Sequence, residues 1–121
     1  MMNIDYLKRY SDAWNAHDID KIMSYMSDDC VFDTGGGAQK HGTRFEGFGA
    51  VRQRFIDVWN DIPDVYLEGL VHFVQGDNGC SEWIFTGTKA DGSTIEIDGC
   101  DLFTFENGKI KSKRSYLKNR S

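Results

Sequence analysis

Asp101 is the residue in this sequence best placed to do chemistry. It stands in the segment GCDLFTF, between apolar neighbours, in a stretch with the pattern of a strand. A carboxylate in an apolar setting needs a hydrogen-bonding partner or a changed protonation state. Such a group serves either as a pocket acid or base or as one half of a structural ion pair. The residues around Asp101 leave both interpretations open.

The hairpin that follows Asp101 supplies a partner for its carboxylate. If Asn107 and Gly108 form a two-residue turn, Asp101 pairs with Arg114 across the ladder. If ENG (106–108) forms a three-residue loop, Asp101 pairs with Lys113. Because paired residues share a face of the sheet, either register predicts a cationic neighbour. A neighbouring cation favours the ionised carboxylate, which accepts hydrogen bonds and can take up a proton.

Tyr10 is the second candidate. It shares a helical stripe with Leu7 and Trp14, at three- and four-residue spacing. A buried tyrosine of this kind packs in the core with its hydroxyl satisfied by a neighbour. If the fold brings Tyr10 and Asp101 together, a ligand oxygen can bridge their polar groups.

The elements that must position these residues follow from the hydrophobic periodicity. Spacing of three and four predicts helices in the first half, and runs rich in β-branched and aromatic residues predict strands in the second. The predicted helices cover residues 3–16, 19–27 and 48–60; the predicted strands cover 30–32, 65–75, 80–88, 93–105 and 109–117. Helices followed by an antiparallel meander predict one α+β domain over residues 1–121, with the helices on one face of the sheet.

Composition and charge exclude several classes of function. The chain has 121 residues, 40% of them hydrophobic, and a net charge of −5. Nucleic-acid binders usually present a basic face. The basic residues here cluster near the C-terminus and alternate within a strand pattern, so we interpret them as a solvated strand face: Lys109, Lys111, Lys113, Arg114, Lys118 and Arg120.

Cysteine and histidine spacing predicts neither a disulfide framework nor a metal site. The three cysteines are far apart and form no CxxC pair, and the three histidines lack compact ligand spacing. The segment HGTRFEG does not have the spacing of a phosphate loop. We therefore expect no cofactor and a cytoplasmic protein with reduced thiols. The opening MMNIDYLKRY lacks the apolar region of a signal peptide, and no apolar run is long enough to cross a membrane.

Four segments, in order, resemble the SnoaL-like and ketosteroid-isomerase-like proteins of the NTF2-like superfamily. They are RYSDAWNAHDIDKIMSYMSDDCVF, HGTRFEGFGAVRQRF, EWIFTGT and GCDLFTFENGKI. The resemblance implies a cone in which three N-terminal helices pack on a strongly curved antiparallel sheet around an apolar pocket. It also implies a homodimer formed through the sheet.

The resemblance further implies half of an isomerase site. The tyrosine and the late-strand aspartate that form the isomerase oxyanion hole match Tyr10 and Asp101. The position of the isomerase base falls at Thr34, with Asp33 one place before it. Successive residues of a strand point to opposite faces, so Asp33 does not replace that base directly. The resemblance therefore predicts the oxyanion-binding groups without the usual proton acceptor.

Two functions remain open. The first is a cofactor-independent isomerase, cyclase or dehydratase acting on an apolar small molecule, with Asp101 as acid or base, Lys113 polarising it and Tyr10 orienting a substrate oxygen. The second is a ligand-binding or dimerisation module without chemistry. Arg44 is a candidate clamp for a ligand carboxylate. The residues predicted to line the pocket are Trp14, Phe32, Asp33, Thr34, Trp59, Trp83, Phe85, Phe103, Arg44 and His41.

Overall fold

A computed structural model describes residues 2–118 as three helices and six strands. The helices are α1 (Ile4–Asn15), α2 (Ile19–Met23) and α3 (Phe48–Asp61). The strands are β1 (Met26–Asp33), β2 (Arg44–Glu46), β3 (Tyr66–Gln75), β4 (Asn78–Thr88), β5 (Thr94–Glu106) and β6 (Lys109–Leu117). No helix in this part of the chain is long and apolar enough to cross a membrane.

The N-terminal helices begin at side-chain caps. The Asn3 side chain accepts a hydrogen bond from the backbone N–H of Tyr6, and the Asp18 side chain accepts one from that of Lys21. α2 ends four residues earlier than its pattern predicts. The carbonyl of Tyr25 accepts a hydrogen bond from the N–H of Ile110, so the following residues join the sheet as β1.

The sheet is mixed and open, with the strand order β2-β1-β6-β5-β4-β3. The predicted α+β class is confirmed, and all neighbouring strands are antiparallel except β1 and β6, which run parallel. Register shifts interrupt β1, β3 and the β5–β6 ladder. Such bulges bend a strand and increase its twist, which lets the sheet curve around the helices.

The β5–β6 hairpin differs from both predicted registers. It closes with a two-residue turn at Asn107 and Gly108, whose φ values are 53° and 75°. A bulge in β6 then shifts the register by one residue, so Asp101 pairs with Ser115. Lys113 pairs with Phe103, two places along the same face.

Because of the same bulge, the basic residues near the C-terminus do not form one solvated strand face, as the sequence had predicted. Lys113 points inward and is only 4% exposed, whereas Lys109, Arg114 and Lys118 are exposed. Lys111 forms an ion pair with Asp29. Arg120 lies outside the described residues.

One hydrophobic core fills the space between the helices and the inner face of the sheet. Helices α1 and α3 contribute aromatic rings to it, and β1, β4 and β5 supply rings from the other side. The largest fully buried side chains are Phe55, Phe103, Leu7, Ile22, Met23, Met26 and Ile110.

Candidate functional site

A cavity of ≈ 440 Å³ opens between the inner face of the sheet and the helices α1 and α3. Its walls are mainly apolar, as in most small-molecule sites. Buried residues form its base, and the exposed residues Gly35, Gly36, Thr43 and Asp61 lie at its mouth. The lining is completed by Trp14, Phe32, Thr34, Phe45, Arg54, Val58, Ile62, Leu67, Trp83, Phe85, Ile97, Asp101, Lys113, Ser115 and Leu117.

Asp101 lies at the base of this cavity and is 3% exposed. Its Oδ2 accepts a hydrogen bond from the indole Nε1 of Trp83 at 3.0 Å, and its Oδ1 accepts one from the hydroxyl of Ser115 at 2.5 Å. Lys113 Nζ stands 3.8 Å from Oδ2. All three neighbours are donors, so Asp101 is placed to accept a proton or hydrogen bond from a ligand.

Lys113 Nζ is enclosed by aromatic rings. The ring centroids of Tyr10, Trp14, Phe32 and Phe55 lie 5.2, 4.9, 5.1 and 4.9 Å from it. Cations are attracted to ring faces at such distances. Burial nevertheless lowers the pKa of Lys113 below its ordinary value, and Asp101 opposes that shift.

Tyr10 lies behind Lys113 rather than on the cavity wall. Its hydroxyl accepts a hydrogen bond from Lys113 Nζ at 3.3 Å, and its ring packs on Phe103 with centroids 5.6 Å apart. Burial, reinforced by the Asp101 charge, raises the pKa of Tyr10 well above its ordinary value. The tyrosine therefore stays a neutral phenol. Lys113, which contacts both groups, occupies the bridging role that we expected of a ligand oxygen.

Arg54 is a polar residue of the cavity that sequence reasoning missed. Its guanidinium stands over the ring of Phe45, 5.6 Å from the centroid, and its buried Nε has no hydrogen-bond partner in the described part of the chain. Within residues 2–118 it forms no ion pair. A guanidinium in such a wall can hold a carboxylate or phenolate oxygen.

The spacing of residues in α3 contained a signal that places Arg54 on the cavity wall. Arg54, Val58, Asp61 and Ile62 all line the cavity, with the spacing of one helical stripe. Core residues of the same helix lie on the adjacent stripe of Val51, Phe55 and Trp59. A polar residue beside a core stripe does not by itself indicate a pocket, since most such residues are solvated.

Comparison with known proteins places the chain in a family. A family model described as SnoaL-like domain matches residues 7–113. The chain belongs to the SnoaL-like family. No curated protein matches this SnoaL-like domain.

Solved structures share the fold of this SnoaL-like domain. A candidate polyketide cyclase from Xanthomonas campestris pv. campestris is similar with a TM-score of 0.84 and 19% identity, covering 95% of this chain and 89% of that one. TerC, co-crystallised with polyporic acid, is similar with a TM-score of 0.80 and 20% identity, covering 95% and 90%. An NTF2-like protein from Exiguobacterium sp. 255-15 has a TM-score of 0.77 and 26% identity, covering 95% and 99%.

Asp33 and Arg44 do not line the cavity of this SnoaL-like domain. Arg44 donates two hydrogen bonds to Asp33, from Nε at 2.7 Å and from Nη2 at 2.9 Å. This pairing lowers the pKa of Asp33. We expected the Arg44 guanidinium to clamp a ligand, but Asp33 already binds it, because β1 and β2 pair these two residues directly. Thr34 does line the cavity, and its hydroxyl donates to the Gly36 carbonyl at 2.7 Å.

The aromatic predictions divide between the cavity wall and the core. Trp14, Phe32, Trp83 and Phe85 line the cavity. Trp59, Phe103 and His41 do not: Trp59 packs against Trp14 and stacks on His17, Phe103 packs against Tyr10, and His41 is exposed in the loop before β2. Helix and strand periodicity identifies an inward face, but both the core and the cavity lie on that face.

Proposed function

We propose that this SnoaL-like protein is a cofactor-independent enzyme that moves a proton on an apolar, oxygenated ring compound, with Asp101 as the acid or base. The observation that carries the proposal is a buried carboxylate with three donor neighbours at the base of a mainly apolar cavity. Isomerisation, cyclisation and dehydration all require such a proton transfer.

The contacts of Asp101 suit a proton acceptor. Each carboxylate oxygen has two acceptor positions, and Trp83 and Ser115 use one on each oxygen. Fixed donors hold the carboxylate in one orientation, so no reorganisation is needed when the substrate binds. Lys113 offsets the negative charge in the ground state and can donate to an oxygen that becomes negative during the reaction.

The structural relatives support an oxygenated ring as the ligand class. One is described as a candidate polyketide cyclase, and TerC was crystallised with polyporic acid. Here, Arg54 on the wall adds a cation suited to a second, acidic oxygen of such a ligand. We propose that the ligand is apolar along its length and carries oxygen at two positions.

Replacing Asp101 by Asn tests the proposed proton transfer. The probe is 5-nitrobenzisoxazole, an apolar bicycle that opens to a coloured phenolate when a base removes its ring C–H proton. We expect Asp101→Asn to lower the rate by about 100-fold, the usual contribution of a positioned base. The initial rate is followed by absorbance at saturating and sub-saturating probe.

Asp98→Asn is the matched control for this test. Asp98 lies on the same strand, exposed to solvent, and is not part of the cavity lining. It should retain the wild-type rate, and circular dichroism should show that both variants are folded. A wild-type rate no higher than that of free acetate, or an unchanged rate in Asp101→Asn, contradicts the proposal.

A ligand-binding module without chemistry is the second candidate function. The Asp33–Arg44 pairing favours it, because this pairing removes the one carboxylate closest in sequence to the isomerase base. Binding of 2-naphthol, followed by its fluorescence, together with no Asp101-dependent turnover of 5-nitrobenzisoxazole, would favour this function.

We also propose that the protein forms a homodimer through the outer face of the sheet. The helices leave this face uncovered, and Val71, Phe73 and Tyr116 on it are 45%, 61% and 49% exposed. We expect the double variant Val71→Lys and Phe73→Lys to sediment as a monomer, since unpaired charges oppose burial of the face. The Ile4→Lys control, an exposed apolar residue on α1, should sediment like the wild type. A wild-type monomer at micromolar concentration contradicts the proposal.

The cytoplasm is the compartment that we propose for this protein. Cys30, Cys80 and Cys100 are all free thiols. Reducing compartments keep thiols in this state.

A further inference from the structure

Lys113 is poorly satisfied as an ammonium ion. An ammonium has three N–H donors, but the described residues place one acceptor, the Tyr10 hydroxyl at 3.3 Å, within hydrogen-bond distance of Nζ. The Asp101 carboxylate is 3.8 Å away and already accepts from Trp83 and Ser115. The remaining neighbours are aromatic rings. A neutral amine needs fewer acceptors, so this enclosure makes the uncharged, nucleophilic form easier to reach than it is for a solvated lysine.

Lys113 also reaches the space where a ligand would lie. It lines the cavity beside Asp101, Trp14 and Phe32. An amine in a mainly apolar cavity, beside a group that can carry protons, has the arrangement that Schiff-base lysines require. We propose that Lys113 is a nucleophile that forms a Schiff base with aldehydes or ketones bound in the cavity. This inference rests on the proposed function for its premise that the cavity binds a substrate, and it names carbonyl compounds as the substrate class.

The reaction balances with the groups present. Nζ attacks the carbonyl carbon, a C–N bond forms, and the carbonyl electron pair moves to oxygen. One Nζ proton passes to that oxygen, giving a carbinolamine. The hydroxyl then leaves as water, taking the second Nζ proton, and a C=N bond remains. Asp101, 3.8 Å from Nζ, accepts each proton and returns it to the departing oxygen once substrate binding shortens this distance.

The neutral imine has used both Nζ protons, so it takes one proton from solvent to become a protonated imine. This protonated imine makes the proposed proton transfer easier. The C=N⁺ group draws electrons from the adjacent carbon, so a base can remove a proton there to give an enamine. Asp101 is the carboxylate at the base of the cavity that can take this proton. The Tyr10 phenol, kept neutral by burial, holds Nζ in place through its hydrogen bond.

Reductive trapping tests the inference without knowledge of the natural substrate. The protein is incubated with 2-naphthaldehyde and sodium cyanoborohydride, which delivers hydride to the imine carbon and fixes the adduct as a secondary amine. Mass spectrometry of the intact chain and of its peptides then counts and locates the adducts. We expect Lys113 to be modified at least 10-fold faster than Lys109, and excess 2-naphthol to slow only the reaction at Lys113.

Lys109 is the matched control because it lies on the same strand, exposed, with Nζ bonded to the Ser24 carbonyl. Lys109→Met should leave the fast adduct intact, and Lys113→Met should abolish it. Peptide mapping of the wild type needs no variant, so the test holds even if Lys113→Met is unstable. Adducts spread over surface lysines, with Lys113 unmodified, overturn the inference.

The pH profile separates a reactive lysine from one that is merely accessible. Among residues 2–118, Tyr10 and Asp101 are the titratable groups with a contact to Nζ, and β1 and α3 place the rings of Phe32 and Phe55 against it. Arg54 of α3 is a further charged group in the wall of the same cavity. We expect labelling of Lys113 to reach its plateau at a lower pH than labelling of Lys109. A common profile for both lysines contradicts the inference.

The trapping test and the 5-nitrobenzisoxazole test can fail separately, because that probe has no carbonyl group and forms no imine. Turnover that depends on Asp101, with Lys113 unmodified, removes the Schiff base and keeps the proposed function. A trapped Lys113 without turnover that depends on Asp101 supports the Schiff base and removes Asp101 as the base.

Discussion

Replacing Asp101 by Ala is expected to lower the free energy of unfolding by about 3–5 kcal/mol, because it leaves the Lys113 cation buried without its carboxylate. Both side chains are about 95% buried, and the Trp83 and Ser115 donors lose their acceptor as well. Chemical denaturation of the variant and the wild type at neutral pH measures the difference.

A double variant tests whether the loss comes from the pair. Lys113→Met removes the cation and keeps the length of the side chain, so adding it to Asp101→Ala should recover much of the loss. The two single variants and the double variant form a cycle that isolates the interaction. Strictly additive losses would show that the two side chains stabilise the fold independently, which contradicts the pairing.

The pH dependence provides a second measurement on the same variants. The folded-state pKa of Lys113 lies below its ordinary value of 10.5, so the unfolded chain binds more protons between these two pH values. Stability attributable to Lys113 therefore rises with pH in that window. Without Asp101 the window widens, because the charge that opposes the shift is gone. The deficit of Asp101→Ala should shrink as pH rises from the folded-state pKa of Lys113 in the variant to that in the wild type, and then stay constant. This slope should be absent when the double variant is compared with Lys113→Met.

Replacing Phe55 by Ala is the second change with a large expected effect. Phe55 is fully buried, its ring lies 5.4 Å from those of Trp14 and Phe32, and Lys113 Nζ stands 4.9 Å from its centroid. Truncating a buried phenylalanine to alanine removes the transfer free energy of the ring and leaves a cavity, at a cost of about 3–5 kcal/mol. Thermal and chemical unfolding should both show the loss.

Phe55→Leu is the control for this prediction. Leucine keeps most of the apolar volume, so we expect a cost below about 1.5 kcal/mol. A loss in Phe55→Leu as large as that in Phe55→Ala would mean that ring contacts, rather than filled volume, account for the stability. The reductive labelling rate of Lys113 in Phe55→Leu then reports whether one missing ring changes the reactivity of the amine.

Much of the fold could be predicted from the sequence, because helices and strands leave local patterns. The stripe of Leu7, Tyr10 and Trp14 predicted α1 within one residue at each end, and the turn residues placed the hairpins of β3 to β6. Local patterns did not reveal β2, since three residues are too short to show periodicity. They also extended α2 too far, because the pairing that starts β1 lies more than 80 residues away in sequence.

The candidate site, like the fold, could be predicted from the sequence only in part. By itself the sequence determined that Asp101 lies in an apolar strand and that a cation stands near it, since residue types and hairpin geometry are local properties. Only the tertiary structure decided which cation that is. The turn alone would have faced Arg114 towards Asp101, but one extra residue in β6 changes which side chains point inward. Ile110 and Lys113 therefore both reach the interior, and this packing depends on every strand and helix around them.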